Sequence, residues 1–292
     1  MDAEEFYKRG LNNFEEQDYQ NAIENCDQAI RLNPNYADAY RTRGSARSRL
    51  KELLGAISDY NQAIQLNPSD AKAYRNRGLA HHEQKNYQEA IVDYTQAIQL
   101  EPSNARGYSL RGQSRYFLKD YQGAIKDYTQ TIQLNPQDEK SYYERGLCHA
   151  NLENYLEAIA DYSLAIRLNS NFGRAYYQRG IARKEIGYYQ QGIEDFRQAI
   201  QLDYEVENSY GEMVEIRGKL GDYEGVITDC TEAIQVSSNE TRLIRFYYFR
   251  GLGHYSLGNN HQAIEDLQIL INLSLSKEQS NTQKTVLDLF FG

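Results

Sequence analysis

Apolar residues recur along this chain in one stripe, at offsets of 0, 1, 4, 7 and 8 residues. Ala90, Ile91, Tyr94, Ala97 and Ile98 are one instance. Such offsets put the side chains on a single face of an α-helix. No stretch alternates with a period of two, so helices are expected throughout and strands nowhere. The stripe returns every 34 residues, and the chain's four prolines, Pro34, Pro68, Pro102 and Pro136, keep the same interval. With proline as position 32, repeats begin at Ala3, Ala37, Ala71, Ala105, Glu139, Gly173 and Glu207, and an eighth begins three residues late at Ile244. Position 8 is glycine in Gly10, Gly44, Gly78, Gly112, Gly146, Gly180 and Gly251. Position 4 is aromatic in every repeat, from Phe6 and Tyr40 to Tyr210 and Tyr247.

Each repeat reads as two helices, helix A over positions 2–14 and helix B over about 18–31. The breaks have chemical causes. Asn86 with Glu89, and Asn154 with Glu157, have the spacing of a capping box ahead of helix B. The phrase "LNP" ends helix B. Asparagine tolerates a left-handed turn, and proline lacks the N–H that would continue the ladder and restricts the residue before it. Ser69 and Asp70 are then placed to cap the next helix A.

The spacing aromatic-x3-Gly…Tyr-x2-Ala-x3-Tyr-x2-Ala…Pro, carried by Tyr74, Gly78, Tyr87, Ala90, Tyr94, Ala97 and Pro102, resembles the tetratricopeptide repeat (TPR). The resemblance implies an all-α fold, a right-handed α-solenoid superhelix of stacked antiparallel helix pairs. It implies one TPR solenoid over residues 3–277, with repeats 3–36, 37–70, 71–104, 105–138, 139–172, 173–206, 207–243 and 244–277. Residues 278–292 are left as a capping segment, in which residues 282–291 are expected to be helical and to rest on Ile264, Leu267 and Ile271. The usual tryptophan at position 4 is Tyr or Phe here. The usual leucine at position 7 is arginine in Arg9, Arg43, Arg77, Arg111, Arg145, Arg179 and Arg250. Position 23 is aspartate in repeats two to eight, from Asp59 and Asp93 to Asp266, so a ladder of Arg–Asp pairs tying helix A to helix B is expected. Exposed rungs of this kind add only ~0.2–1 kcal/mol each. Repeat seven departs: Met213 and Val214 stand at positions 7 and 8, and valine there is expected to hold the two helices apart.

The formal charge of −9 opposes association with phosphate backbones. Three cysteines without a CxxC spacing point to a reducing, cytoplasmic setting and no disulfide framework. The acidic start "MDAEEFYKRG" lacks the apolar run of a signal peptide, and no stretch suits a membrane helix, so no membrane insertion is expected. Cys26, Cys148 and Cys230 fall at packing positions. His81, His149 and His254 share position 11 of non-adjacent repeats, too far apart to hold one metal. No phosphate loop, HExxH or GxSxG is present. The chain is read as not an enzyme, with no metal and no cofactor.

What remains is surface. The resemblance implies that helix A lines a concave groove through positions 2, 5, 9, 12 and 13. In repeats two to four these supply Arg41, Arg49, Lys72, Arg75 and Arg106. In repeats four to six they supply Tyr116, Phe117, Tyr143 and Tyr177. A charged end beside an aromatic end suits a scaffold that binds extended peptide segments of partner proteins, including acidic ones. The alternative is single-stranded RNA binding, with arginine on phosphates and tyrosine on bases; the net charge and the acidic residues of the groove argue against nucleic acid. In some TPR proteins a Lys and Asn constellation grips a terminal carboxylate. That pattern needs Asn at position 9, where this chain has none. The oligomeric expectation is a monomer or weak homodimer.

Overall fold

The computed structural model describes residues 1–291, with side chains described for residues 1–275. Among the described residues there are helices in antiparallel pairs and no strand. The chain divides into two compact units, Met1–Glu153 and Asn154–Gly292. The first contains α1 (Ala3–Glu15), α2 (Tyr19–Leu32), α3 (Ala37–Arg49), α4 (Leu53–Leu66), α5 (Ala71–Glu83), α6 (Tyr87–Leu100), α7 (Ala105–Phe117), α8 (Tyr121–Leu134) and α9 (Glu139–Asn151). The second contains α10 (Tyr155–Leu168), α11 (Gly173–Glu185), α12 (Tyr189–Gln201), α13 (Val206–Leu220), α14 (Tyr223–Val236), α15 (Glu240–Ser256) and α16 (Asn260–Phe291). Odd-numbered helices are the A helices of the repeats and even-numbered ones the B helices. Within the units, α3, α5, α7, α11, α13 and α15 each pack between their own helix B and the one before it. The expected docking of residues 282–291 on Ile264, Leu267 and Ile271 lies outside the described side chains.

The turns are made differently from the expectation. The asparagines that end helix B are extended, with φ of −136° at Asn67 and −138° at Asn135. Their side chains instead accept from the backbone two residues on, as Asn67 Oδ1 does from Ser69 N at 3.2 Å, which is an Asx turn. A left-handed residue sits between helix A and helix B of each repeat, at position 15: Gln17, Lys51, Lys85, Lys119, Glu153, Gly187, Gly221 and Gly258; the turn from α12 to α13 adds two more, Asp203 and Glu205. Neither Asn86 nor Asn154 caps its helix through its side chain; the Asn86 amide donates to Gln84 instead. The complete capping box is Asp2 with Glu5. Asp70 does cap α5, accepting from Lys72 N and Ala73 N at 3.0 Å each.

Position 8 is glycine because of what lies opposite. A Cβ added at Gly78 would stand 2.7 Å from Tyr94 Cε1, and one at Gly44 would stand 2.9 Å from Tyr60 Cε1. The tyrosine ring at position 24 of helix B therefore lies flat on the backbone of helix A. In repeat seven the sizes are exchanged: Val214 stands at position 8 and Cys230 at position 24, buried together with Tyr210, Val226 and Phe246. A small residue on helix B takes up the bulk that valine adds to helix A, which answers the expected separation with a compensating change.

The Arg–Asp ladder is present and lies deeper than a surface ladder. Arg77 grips Asp93 through Nε and Nη2, with Nε–Oδ2 at 2.9 Å, and Asp93 is 3 % exposed. Arg43 with Asp59, Arg111 with Asp127, Arg179 with Asp195 and Arg250 with Asp266 repeat the geometry. The remaining nitrogen, Nη1, reaches position 25 of the previous helix B: Asn61 for Arg77, Thr95 for Arg111, Ser163 for Arg179. Each guanidinium also lies over the position-4 ring one turn back, as Arg77 does over Tyr74 at 5.5 Å. Tyrosine at position 4 and arginine at position 7 are thus one paired departure.

Candidate functional site

In the first unit the A helices present a cavity of about 550 Å³, lined from α1, α3, α5 and α7 and by Tyr60 of α4. Its geometry follows from the register of α3: Arg41, Ser45, Ser48 and Arg49 fall at i, i+4, i+7 and i+8, one face of the helix. From α5 come Asn76, Leu79 and Glu83, from α7 Arg106, and from α1 Leu11 and Phe14. The missing side chain at Gly44 lets the Tyr60 ring cross α3, so that its hydroxyl donates to Ser45 Oγ at 3.3 Å. Asn76 Nδ2 donates to the same oxygen at 3.2 Å. Burial pushes the Tyr60 phenol up to about 12, so it stays protonated.

The five basic residues singled out in the sequence are not equivalent. Arg41 is half-buried and already paired, with Asp38 and with Asp70, the latter at 2.8 Å. Burial opposes its charge, and the two carboxylates more than offset that. Arg75 lies outside the cavity lining and is paired with Glu101 at 3.2 Å. Lys72 is exposed on the first turn of α5, also outside the lining. Lys51, on the rim, is bound to Glu83 at 2.8 Å. Arg49 and Arg106 line the cavity from α3 and α7, are exposed, and have no ion pair among the described residues. Within the cavity, the positive charge available to a ligand is therefore concentrated on these two.

The four aromatics are scattered. Tyr116 and Phe117 belong to a separate cluster at the end of α7. Phe117 stacks on Tyr87 at 5.0 Å and meets His82 edge-on at 5.4 Å. The Tyr116 hydroxyl accepts from Asn151 at 3.3 Å. Phe117 is half-exposed, whereas Tyr143 is buried at 5 % and offers no surface. Tyr177 is in the second unit, packed on Phe196 and Tyr204. Asn76 and Tyr60 were missed from sequence. Asn76 stands at position 6, on the same stripe as positions 2, 9 and 13, and that spacing could have found it. Tyr60 belongs to helix B and reaches the cavity only because Gly44 has no side chain.

The three cysteines are free and buried. Burial pushes the Cys26 and Cys230 thiols up to about 12, far from a reactive thiolate. Among the described residues no group of three or more His, Cys, Asp or Glu is placed to hold a metal, and no helix is long and apolar enough to cross a membrane.

Family models for the tetratricopeptide repeat match residues 3–36, 44–85, 71–104, 105–138, 139–172 and 173–205. The chain belongs to the tetratricopeptide-repeat family. No curated protein matches it. Solved TPR structures are similar in fold. YrrB, described as a TPR protein with an unusual peptide-binding site, is 23% identical, with 62% of this chain and 93% of that one covered at a TM-score of 0.56. A TPR protein from Parabacteroides merdae is 20% identical, covering 88% and 99% at 0.59. PilF of Pseudomonas aeruginosa is 19% identical, covering 74% and 97% at 0.60.

Proposed function

We propose that this TPR protein is a non-enzymatic interaction scaffold whose first unit binds an extended, acidic segment of a partner protein in the cavity between α1, α3, α5 and α7. The observation that carries the reading is the pair of unpaired guanidiniums, Arg49 and Arg106, above a polar floor of Ser45, Asn76 and Tyr60. Arginine on opposite walls suits carboxylates spaced along an extended chain, and the hydroxyl and amide groups between them offer hydrogen bonds to a peptide backbone. A peptide-binding site is stated for YrrB, which supports the same class of ligand here. A cytoplasmic location fits the free, buried cysteines.

The test is a double substitution, Arg49→Glu with Arg106→Glu. Both side chains are exposed and unpaired, so melting and helicity are expected to stay unchanged. A fluorescent acidic peptide alternating Asp and Leu is expected to lose about tenfold or more in affinity, the equivalent of ~1.4 kcal/mol. Equal binding by the variant rejects the cavity as the site. Single-stranded oligouridylate is the second probe. Tight, steeply salt-dependent binding of it, with none of the acidic peptide, replaces the reading with RNA recognition.

A further inference from the structure

Four A helices of the first unit lie side by side, α1 against α3, α3 against α5 and α5 against α7. The lining of the cavity changes character from each to the next. From α1 come Leu11 and Phe14, both apolar; from α3 comes the unpaired Arg49, from α5 Glu83 and from α7 Arg106. The order across the groove is therefore apolar, basic, acidic, basic. Glu83 is the odd member, a carboxylate in a cavity that takes an acidic ligand. Its side chain is 40% exposed, and Oε2 is bound to Lys51, itself 72% exposed on the rim. Oε1 has no hydrogen-bond partner among the described residues. A pair this exposed is screened by water and contributes little. Glu83 thus keeps an open acceptor, on the helix between those that carry the two guanidiniums.

We propose that Glu83 is a specificity-determining residue, and that the first unit takes a partner segment presenting, in order, an apolar residue, an acid, a base and an acid. This rests on the peptide-binding reading above and narrows it. Each member follows from complementarity. Leu11 and Phe14 offer no hydrogen bond through their side chains, so an apolar side chain suits that wall. Arg49 and Arg106 take carboxylates. A third carboxylate between them would meet Glu83, and like charges repel. A lysine or arginine there gives Oε1 the donor it lacks. Spacing follows from the scaffold. Packed helices lie ~8–10 Å apart and an extended chain advances ~3.3 Å per residue, so the four residues fall about three apart. An unbroken run of acids or phosphates does not match this order, and one side chain thereby separates the ligand from a polyanion.

Two fluorescent peptides test this at about 0.15 M salt, where charges farther apart than ~8 Å are screened. One is Leu-Ser-Ser-Asp-Ser-Ser-Lys-Ser-Ser-Asp, and the other has Asp in place of Lys. The protein is expected to prefer the first by about threefold to fivefold, the equivalent of ~0.6–1 kcal/mol. Glu83→Gln is expected to abolish the preference and Glu83→Lys to reverse it. A merely structural role for Glu83 would weaken both peptides alike and leave their ratio unchanged. Glu83 is exposed, so both variants are expected to keep their helicity; if Glu83→Lys does not fold, Glu83→Gln alone decides. Equal binding of the two peptides, or a preference that persists in Glu83→Gln, overturns the inference, and loss of both peptides in Arg49→Glu with Arg106→Glu then leaves the peptide-binding reading standing. Failure of both peptides where the alternating Asp and Leu peptide still binds overturns the inference alone. Failure of all three overturns that reading with it.

Discussion

Repeat three and repeat seven solve the same packing problem with opposite residues. In repeat three a glycine on helix A receives a tyrosine from helix B, Gly78 against Tyr94. In repeat seven a valine on helix A meets a cysteine, Val214 with Cys230. Their buried aspartates differ as well. Asp93 is held by the position-7 arginine, Arg77, through two nitrogens. In repeat seven Met213 stands at that position, and the ion pair of Asp229 is with Arg217, four residues further on, at 2.6 Å. Burial outweighs this one partner, with a contribution from Arg197 of α12, and raises the Asp229 pKa. The lesson is that position 8 and position 24 are one volume shared between two helices. Position 7 and position 23 are likewise one charge pair, and either member of a set can be read only beside the other.

The largest test removes a charge partner. Arg77→Met leaves Asp93 buried with no cation paired to it among the described residues, whereas Arg43→Met leaves Asp59 still bonded to Arg47 at 2.8 Å. Breaking a buried pair costs about 3–5 kcal/mol. Urea denaturation is expected to show that loss for Arg77→Met and clearly less for Arg43→Met. Equal losses would show that the second arginine does not share the carboxylate.

The next transplants the volume exchange. Gly78→Val alone forces a branched side chain into the Tyr94 ring and is expected to destabilise by about 1–3 kcal/mol. Adding Tyr94→Cys rebuilds the arrangement of repeat seven, and the double variant is expected to be more stable than the sum of the two single losses predicts. Strict additivity would break the comparison.

The smallest effect concerns acid. A carboxyl whose folded pKa is raised binds more protons folded than unfolded between the two values, so its contribution to stability rises as pH falls through that window. Asp229→Asn removes the titration. Thermal melts between neutral pH and about pH 4, near the unfolded carboxylate value, should show wild type gaining on the variant as pH drops. The opposite trend would mean that Arg217 dominates burial after all.

Much of this was legible in sequence because a period repeats its evidence. The stripe at Ala90, Ile91, Tyr94, Ala97 and Ile98 recurs often enough to fix two helices per repeat, and the alignment of position 7 with position 23 gave the ladder. What sequence could not give was depth and direction. Nothing local says that Asp93 is buried, or that Asn86 turns its amide to Gln84 and leaves its helix uncapped. The groove was legible as a set of helix positions, but not as a set of free charges. Whether Arg41 or Arg49 has charge to offer depends on Asp38 and Asp70, and the second of these lies at the far end of the repeat, where it caps α5. Tyr177 shows the same limit, since its helix position alone did not place it in a different unit from Arg41.

The position-7 arginine also bears on how such an array comes apart. Its Nε and Nη2 bind within a repeat, while Nη1 binds the repeat before it. In a one-dimensional chain of nearest neighbours, one side chain then enters both the intrinsic stability of a repeat and the coupling term that joins it to the last. Losing it lowers the penalty for a boundary between folded and melted segments at that point. Melting fronts should stall at Met213, the interior repeat where this rivet is absent, so a partly unfolded chain would keep its earlier repeats as a block.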